Sequence, residues 1–329
     1  MLIYFLEKSI PFDANDLNSN LIGGTEKTLI NISNELAKRS NLEIKVFNET
    51  YQAVKINNVE WSNLRNYSNY KFPDVLISFS DMNLFKDFKC KKKFLWSHSV
   101  QNLEKFIRKK QLIPYLFHRP TIILEGDYHY INRSFLTSLF GKKILKLAPD
   151  YEFIYEKIDI NHIPDKKCIF TTKSDRNLDI LLKAWNKIYL LNKDAKLIVN
   201  PPYKISSELS NQNVKLRNKG QKQDLIKDLK NSKLMLIPGH KGEVFCLAAE
   251  EARELCIPII TMGYGSLYER VEHNKTGYIA KNINEFVHYT HKLLNDEDLY
   301  LKFRKNLFNL RNSRNFTNVA DDLLEIIKY

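Results

Sequence analysis

The sequence predicts an α/β protein made of two doubly wound domains with parallel sheets. Strand patterns alternate with amphipathic helix patterns, as is typical of parallel sheets covered on both faces. The pattern divides into two series at a polar stretch between Ala148 and Asp165. At 329 residues the chain is long for one hydrophobic core and comfortable for two. We therefore expect a first domain at 1–150, a second at 151–310, and a closing helix within 311–329.

The first series opens on a buried strand and ends at Ala148-Pro149-Asp150. Charges follow the apolar segment Leu2–Leu6, which favours a core strand over a signal peptide. Gly23-Gly24 then precede a helix at Thr25–Arg39, whose Leu29, Ile32 and Leu36 share one face. Further strands are expected at Glu43–Phe47, Val75–Phe79, Phe94–Ser97, Thr121–Leu124 and Lys143–Leu147. Together these strands would form the first sheet.

The second series repeats the alternation after the polar stretch, which we interpret as a linker. Strands are expected at Cys168–Thr171, Lys196–Val199, Leu234–Ile237 and Ile257–Thr261. Helices are expected from Leu178 to Ile188 and at Gln223–Leu229, Leu247–Leu255, Asn284–Asn295, Asp298–Leu307 and Asn318–Lys328. Ligands of open parallel sheets bind at the carboxyl ends of the strands, and the candidate residues below all follow such ends.

Two carboxylates eight residues apart, Glu243 and Glu251, are the most informative signal in the chain. Glu243 ends the loop after Leu234–Ile237, and Phe245-Cys246-Leu247 begin the next helix. Free N–H groups at a helix start bind phosphate through geometry and dipole. Glu251, two turns into the helix, could accept two hydrogen bonds from the vicinal diol of a ribose. The surrounding apolar pattern favours this interpretation over two solvated carboxylates on a surface helix.

A cation follows the first strand of the second series. Arg176 lies in the loop after Cys168–Thr171, just before a helix. There it could face a diphosphate and stabilise the charge that develops as the diphosphate leaves, with Lys173 assisting. In the alternative interpretation, Asp175 caps the helix and Arg176 is simply exposed.

Two weaker signals lie in the first series. Gly23-Gly24 would let the backbone approach a ligand closely, although Thr25 could simply cap the helix. The loop matches neither G-x-G-x-x-G nor a P-loop. His98 follows Phe94–Ser97 and could contact a reacting sugar or be a structural histidine. The cases for His118, His129 and His240 are weaker.

The cysteine spacing and the charge indicate the compartment and the partners of the protein. Cys90, Cys168, Cys246 and Cys256 show no metal or CxxC spacing, and no His/Asp cluster predicts a metal, which favours a reducing, cytoplasmic compartment. The net charge is +13, and Lys86–Lys110 alone carries +7. That run indicates an anionic partner (membrane surface, phosphorylated acceptor or nucleic acid) or else a solvated face.

Apolar residues continue the basic run as far as Phe117. The segment Lys86–Phe117 therefore favours peripheral docking on the inner face of an anionic membrane, or on a lipid-linked acceptor. No nucleic-acid-binding motif is present. No apolar run approaches the roughly 18 residues that span a bilayer.

The order of these residues resembles the family 4 retaining glycosyltransferases of the GT-B fold, part of the group 1 glycosyl transferases. The resemblance covers nearly the whole chain. It rests on Glu243 through Glu251-Ala252, on Phe170–Trp185, on Asn274–Ala280 and on the Gly23-Gly24 loop. It implies two Rossmann-like domains facing across a cleft, with the terminal helix crossing back to the first. Cys256 departs from the family, which usually has glycine there.

The resemblance also implies roles. Arg176 would neutralise the leaving diphosphate, Glu243 would contact the donor sugar, and His98 would stand near that sugar. The implied donor-binding residues are Gly23, Gly24, Lys173, Gly220, Phe245, Cys246, Leu247 and Glu251, with Glu251 on the ribose and Gly220 near the base.

The implied reaction transfers a sugar from a nucleoside-diphosphate sugar to an acceptor hydroxyl with retention, giving an α-glycoside for glycan biosynthesis. The nucleotide sugar is a co-substrate; no bound cofactor and no metal are implied. The acceptor would be a sugar, a lipid-linked glycan or another glycan. The alternatives are a nucleic-acid-binding or nucleic-acid-glycosylating protein of the same fold, and a nucleotide-sugar epimerase. The Glu243–Glu251 arrangement argues against the epimerase.

Overall fold

The computed structural model describes residues 1–19, 21–69, 71–200, 207–218 and 220–328. The chain divides into two compact units, one of Met1–Ala148 with Phe316–Tyr329 and one of Pro149–Asn315. Each unit contains a sheet with parallel strands and helices of its own. The predicted doubly wound α/β class is confirmed.

The first unit contains an eight-stranded sheet in its described residues. Its strands are β1 (Leu2–Leu6), β2 (Glu43–Asn48), β3 (Val54–Ile56), β4 (Val59–Asn63), β5 (Val75–Phe79), β6 (Lys92–Trp96), β7 (Thr121–Leu124) and β8 (Lys142–Ile144). They lie in the order β3-β4-β2-β1-β5-β6-β7-β8. Neighbouring strands pair in parallel except β3 with β4.

The β3–β4 hairpin corrects the expectation of purely parallel pairing. Asn57 and Asn58 join the two strands, and both have positive φ, 51° and 63°. Two central residues of positive φ define the type I′ turn that suits a two-residue hairpin, and asparagine tolerates that conformation. The hairpin lies at the edge of the sheet, next to β2.

Within the described residues of Met1–Ala148, one α-helix is long and three are short. They are α1 (Gly24–Ala37), α2 (Leu103–Arg108), α3 (Leu112–His118) and α4 (Asp127–Ile131). Short 3-10 helices occur at Ala14–Asn18, Leu64–Asn69, Met82–Asp87 and Phe135–Ser138. The face of α1 that carries Leu29, Ile32 and Leu36 is fully buried, as its periodicity predicts.

The second unit has a six-stranded sheet. Its strands are β9 (Lys167–Phe170), β10 (Lys196–Val199), β11 (Val214–Leu216), β12 (Leu234–Leu236), β13 (Ile259–Thr261) and β14 (Gly277–Ile279). The order β11-β10-β9-β12-β13-β14 is parallel throughout the described pairs. Successive strands run outward in opposite directions from β9 and β12, so the topological switch point lies between these two strands.

Helices cover both faces of this sheet. They are α5 (Tyr151–Ile154), α6 (Leu178–Leu191), α7 (Ser207–Asn211), α8 (Lys222–Lys230), α9 (Leu247–Glu254), α10 (Leu267–Arg270), α11 (Ile283–Asn295) and α12 (Glu297–Leu310). Cys168 and Phe170 of β9 join one hydrophobic cluster, while Ile169 joins another with Phe153 of α5. The stretch interpreted as a linker therefore contributes to the core of the second unit.

The last helix, α13 (Phe316–Lys328), belongs to the first unit. It packs against α1 and buries Val319, Leu323 and Ile327. The Lys92 Nζ donates to the carbonyl oxygens of Ile327 (3.1 Å) and Lys328 (2.6 Å). Lys92 thereby satisfies carbonyl groups that the end of a helix leaves without partners. Residues 311–315 group with the second unit, so the returning segment is shorter than the 311–329 that we expected.

Candidate functional site

The loops after β9 and β12 meet at the switch point of the second unit. Each loop leads into a helix through a non-glycine residue of positive φ: Asn177 (62°) before α6 and Cys246 (64°) before α9. The Asn177 Nδ2 donates to the carbonyl oxygen of Gly239 at 2.6 Å. This bond holds the two loops together at the carboxyl ends of their strands.

Arg176 and Glu243 are brought together from these two loops. The Arg176 Nε lies 3.7 Å from Glu243 Oε2, and about a quarter of each side chain is exposed (26% and 22%). The N-cap residue of α6 is Asn177, so Asp175 does not cap this helix. The Asp175 carboxylate lies 3.8 Å from Arg176 Nε. The arrangement places one guanidinium against one carboxylate in a partly open position.

His240 fixes the other end of the Arg176 guanidinium. Its Nδ1 accepts from the Gly242 N–H at 2.9 Å and lies 3.1 Å from Arg176 Nη1. Because Nδ1 accepts these bonds, the ring proton lies on Nε2. The sequence made only a weak case for His240. Its position between Pro238 and Glu243, in the loop of the strongest motif, was the signal available.

The glycine-rich turn after β13 supports the Glu243 loop. The Ser266 N–H donates to the Glu243 carbonyl oxygen at 2.9 Å, and the Glu243 N–H donates to that of His240 at 2.9 Å. Gly265 has φ 70°, and a Cβ there would lie 2.3 Å from the His240 oxygen and 2.7 Å from the Glu243 oxygen. Only glycine fits this close approach of two backbones.

Glu251 lies one turn into α9. The helix begins at Leu247, which makes Glu251 its fifth residue. Our expectation of two turns was wrong because the loop extends through Cys246. The neighbouring Glu250 is buried, 3.3 Å from Arg270 Nε and 2.5 Å from Arg253 Nη1. Adjacent glutamates thus have different environments, with Glu250 in a buried ion-pair network and Glu251 partly exposed.

The side chains of Phe245 and Cys246 serve packing. The Phe245 ring faces the Arg270 guanidinium at 4.1 Å, and its carbonyl oxygen accepts from Arg270 Nε at 2.8 Å. Burial raises the pKa of the Cys246 thiol well above its usual value, so this thiol stays protonated. The start of α9, including Leu247, therefore offers a ligand its backbone N–H groups.

The contacts of Lys173 and Gly220 are local ones. Lys173 is exposed, and its carbonyl oxygen accepts from the Arg176 N–H at 3.0 Å. Gly220 precedes α8, and a Cβ there would lie 1.9 Å from Asp224 Oδ2. That carboxylate accepts from the Gln221 N–H at 2.8 Å, which closes the start of the helix. The local cap therefore explains why glycine stands at position 220.

In the first unit, carboxylates surround the Gly23-Gly24 loop. The Gly23 N–H donates to Glu26 Oε2 at 2.9 Å, and the Ser9 hydroxyl donates to Glu26 Oε1 at 2.9 Å. Burial, with a smaller contribution from Glu26, raises the pKa of Glu7. Gly23 is the N-cap residue of α1, so Thr25 is not the cap. Such a loop suits hydroxyl groups better than phosphate.

His98 follows β6 and pairs with a glutamate that sequence reasoning missed. Its Nδ1 lies 2.5 Å from Glu125 Oε1, and its ring stacks on Phe79 with centroids 4.9 Å apart. Its Nε2 is buried without a hydrogen-bond partner in the described part of the chain. Glu125 directly follows β7, and this position at a strand's carboxyl end was the signal that could have found it.

Residues 169–309, which form most of the second unit, match the family model for glycosyl transferases group 1. This unit is therefore similar to a group 1 glycosyltransferase domain. The predicted resemblance to group 1 glycosyltransferases is confirmed. The Arg176–Glu243 pair and the start of α9 all lie within the matched residues. No curated protein sequence matches the chain significantly.

Solved structures share the fold at low identity. Sucrose-phosphate synthase from Thermosynechococcus elongatus matches with a TM-score of 0.76 at 11% identity, over 99% of this chain and 98% of that one. HepE from Anabaena, in complex with UDP and glucose, matches with 0.73 at 14%, over 99% of each chain. These likenesses confirm the GT-B fold of the chain.

A third similar structure is larger. A TarM variant from S. aureus, in complex with fondaparinux, α-GlcNAc-glycerol and UDP, matches with a TM-score of 0.64 at 16% identity. The match covers 80% of this chain but 58% of TarM. The chain thus spans less than two thirds of TarM.

Two structural features are absent from the described residues. No helix there is both long and apolar enough to cross a bilayer. Across the same residues, no three His, Cys, Asp or Glu side chains are grouped so that they could hold a metal ion.

Proposed function

We propose that the protein is a retaining glycosyltransferase that moves a sugar from a nucleoside-diphosphate sugar to an acceptor hydroxyl and gives an α-glycoside. The observation that carries this proposal is the Arg176–Glu243 pair at the switch point of a unit that matches the group 1 family model. The UDP and glucose bound to HepE support a nucleotide sugar as the donor.

In this proposal the donor lies along the start of α9. The backbone N–H groups of Phe245, Cys246 and Leu247 and the Arg176 guanidinium bind the diphosphate. Glu251, one turn further, accepts hydrogen bonds from the ribose hydroxyls. Glu243, which enters from the loop, binds hydroxyls of the sugar. Lys173 adds positive charge at the rim, and Gly220 allows the base to approach the backbone.

The chemistry we propose needs no protein nucleophile. The bond between the anomeric carbon and the diphosphate oxygen breaks, and the acceptor oxygen bonds to that carbon from the same face. The acceptor's proton passes to the departing phosphate oxygen, which gives the glycoside and a nucleoside diphosphate. Arg176 stabilises the negative charge that develops on that oxygen, and His240 keeps the guanidinium in position. In this scheme Arg176 and the α9 amides supply the positive charge without a resident metal or cofactor.

The first unit contributes groups for sugar hydroxyls. With its Nδ1 toward Glu125, His98 has Nε2 available to accept from a hydroxyl. The carboxylate of Glu26 and the Gly23-Gly24 loop form a second hydroxyl-binding region. We assign these groups to the binding of sugar hydroxyls.

A lipid-linked acceptor or an anionic membrane fits the exposed surface of α2 and α3. Four apolar side chains there are strongly exposed: Ile107 (57%), Ile113 (79%), Leu116 (47%) and Phe117 (80%). Arg108, Lys109 and Lys110 lie between them and are exposed. Apolar and basic groups together favour peripheral binding to an anionic lipid surface. The four cysteines are unpaired thiols, which supports a cytoplasmic setting.

The experiment that tests donor binding is a thermal-shift series with UDP-, GDP-, ADP-, CMP- and dTDP-sugars. We expect one nucleotide class to raise the unfolding midpoint, because a ligand stabilises the state that binds it, by about 2.7 kcal/mol at 100 times its Kd. Glu251→Ala should abolish this shift. Glu272→Ala, which removes a glutamate that pairs with Lys275 away from the site, should keep it.

A shift that survives Glu251→Ala would overturn the ribose role. No shift with any of these donors would overturn the proposed function. Retention is tested separately by NMR of the product, where a β-linked sugar from an α-linked donor would contradict it.

A further inference from the structure

We propose that the first unit carries a second ligand site, a cavity that binds a phosphate ester at the amino edge of its sheet. The cavity has a volume of about 460 Å³. Its basic lining residues, which define the basic cavity below, are Lys91, Lys92, Lys93, His118, Arg119 and Lys143. Ligand pockets of about 300–1,000 Å³ accept small organic molecules, so an ester fits as well as a free anion.

The basic cavity lies far from the sugar-binding residues of the same unit. Lys92 and Lys93 begin β6, and Lys143 lies in β8. His98 and Glu125 follow the opposite, carboxyl ends of β6 and β7. Since β6 has five residues, the two edges are about 16 Å apart. The single basic run Lys86–Lys110 is thus divided by β6 between two edges of the sheet.

The charges in the cavity are incompletely compensated. Lys91 pairs with Asp74 at 2.5 Å, Lys92 binds the carbonyl oxygens at the end of α13, and Lys93 Nζ lies 3.0 Å from His118 Nδ1. No carboxylate is among the described lining residues. In the described part of the chain, the side chains of Arg119 and Lys143 have no hydrogen-bond or ion-pair partner.

A cavity at the amino edge of the second sheet provides a contrast. It is larger, about 1060 Å³, and it also contains lysines. Its lining includes Asp165, Asp194 and Glu297, and Asp194 pairs with Lys166 at 3.0 Å. Its three carboxylates offset part of the charge of its five lysines, which leaves less net positive charge than in the basic cavity, and we assign it no anion.

The side chains of the basic cavity match a phosphate group. Arg119 presents a planar fork that binds two phosphate oxygens at once, and Lys93 and Lys143 add point charges. His118 accepts from Lys93, and burial followed by the Lys93 charge lowers its pKa. A dianion bound between Lys93 and His118 would raise the pKa of His118 again. We therefore expect binding to strengthen as the pH falls and His118 becomes protonated.

The test uses calorimetric titration of the full chain with inorganic phosphate and glycerol 3-phosphate at constant ionic strength. All proteins carry Arg176→Gln, so that phosphate binding at the proposed donor site does not interfere and the outcome is independent of donor binding. We expect one saturable site. Arg119→Gln with Lys143→Gln should weaken it at least tenfold. Lys302→Gln with Lys305→Gln, which removes the same charge from α12, should change it less than twofold.

All four substituted side chains are exposed, so the variants should keep the parent's unfolding midpoint. Equal weakening by both double variants would overturn the proposal, because diffuse net charge would then explain the binding. Absence of saturable binding to either probe would also overturn it.

Flotation with phosphatidic acid vesicles separates the two sources of the phosphate ester, with Lys109→Gln and Lys110→Gln added to every protein to remove attachment through α2 and α3. Loss of flotation when Arg119→Gln and Lys143→Gln are then introduced would identify a lipid headgroup. Unchanged flotation, together with weakened glycerol 3-phosphate binding, would identify a soluble ester.

Discussion

Gly265 shows how a single backbone position controls the candidate site. It has positive φ and lies against the carbonyl oxygens of His240 and Glu243. Gly263 has the same φ of 70°, but a Cβ there would meet only the Ile279 Cγ2, at 2.9 Å. Substitutions at these two glycines therefore distinguish two effects. Both would introduce the strain of positive φ, but only the one at Gly265 would also displace the Glu243 loop.

We expect Gly265→Ala to lower donor affinity at least tenfold and Gly263→Ala to leave it within threefold. Both variants should lose about 1 kcal/mol of unfolding free energy from positive φ, and Gly265→Ala more because rigid backbone must shift. Donor titration and urea unfolding of both proteins measure the two effects. Equal donor affinity in the two variants would contradict the role assigned to this contact.

His129 should make stability depend on pH. It is fully buried, its Nδ1 accepts from the Glu125 N–H at 3.2 Å, and its Nε2 lies 3.0 Å from the Ser99 carbonyl oxygen. Burial lowers its pKa to about 4; Glu125 and the Ser99 bond oppose the shift, while His98 and Lys105 add to it. Between pH 6.5 and about 4 the unfolded chain binds a proton that the folded protein excludes, so stability is lost as pH falls.

The expected loss between pH 7 and pH 5 is about 2 kcal/mol of unfolding free energy. His129→Gln should remove that part of the pH dependence, whereas His162→Gln, at an exposed histidine, should retain it. Urea unfolding at both pH values gives the comparison. A His129→Gln protein with the parent's pH dependence would show that another group is responsible.

Spacing in the sequence was enough to select Arg176 and Glu243, because each follows a strand that the apolar pattern already marks. It could not select His240 or Glu125. Their roles arise from contacts to Arg176 and His98, which lie 64 and 27 residues away along the chain. Glu26 was missed for a similar reason: its role arises from a contact, because its carboxylate accepts from the Gly23 N–H.

Among the helices and strands, the end of α9 shows how this chain replaces a glycine. Cys256 has φ 56°, its N–H donates to the Arg253 carbonyl oxygen, and the Ile257 N–H donates to that of Ala252. These two bonds form a Schellman motif. The helix thus ends as it would with glycine, at a conformational cost of about 1 kcal/mol for a residue with a Cβ.

Glycine and alanine should therefore rank differently at two buried cysteines. At Cys256 we expect the Gly variant to be about 1 kcal/mol more stable than the Ala variant, because only Ala keeps the strain. At Cys168, inside β9, the Ala variant should be more stable by about 0.5–1 kcal/mol, because glycine weakens a strand. Guanidinium unfolding of the four proteins tests the ranking. The same order at both positions would contradict it.

The periodicity of apolar residues predicted the helices that are long enough to show a 3.6-residue repeat. The helices α1, α6 and α11 each have at least 13 residues, and all three lie where their apolar faces predict. The helices α2, α3 and α4 have seven residues or fewer, which is too short for a 3.6-residue repeat. Among the three-residue strands, the wholly apolar β12 (LML) was found, whereas β3 (VKI) and β11 (VKL), each with a central lysine, escaped.

Across the whole molecule, exposed apolar side chains are concentrated near α2 and α3. The 3-10 helix Phe135–Ser138 contacts α2 and adds Phe135 (71% exposed) and Leu136 (45%) to that surface. The basic residues Lys109 and Lys110 lie beside it. This combination is what a protein needs for reversible attachment to an anionic bilayer.

We expect Lys109→Glu with Lys110→Glu to reduce binding to phosphatidylglycerol vesicles at least tenfold, since each basic residue contributes about 1 kcal/mol near such a surface. Phe117→Ser should reduce binding through lost apolar burial. The control, Lys302→Glu with Lys305→Glu, changes the charge of α12 equally and should bind like the parent. Vesicle flotation measures all four proteins. Equal binding of the parent to neutral phosphatidylcholine would contradict an electrostatic attachment.

The sequence predicted two successive α/β series at this scale, because alternation is visible along the whole chain. It predicted the basic run as one surface, and the structure divides that run. Charge in sequence carries no information about which end of a strand each lysine occupies. The polar stretch after Ala148 looked like a linker because α5 has only four residues.

The return of α13 to the first unit has a consequence for synthesis on the ribosome. Residues 149–315 must all be translated before Phe316–Lys328 exist, which takes roughly 8–30 s at about 5–20 residues per second. During that interval α1 lacks the helix that packs against it, and Lys92 lacks the carbonyl groups that it caps. The second unit can therefore finish folding on the ribosome before the first unit, which begins earlier but closes last.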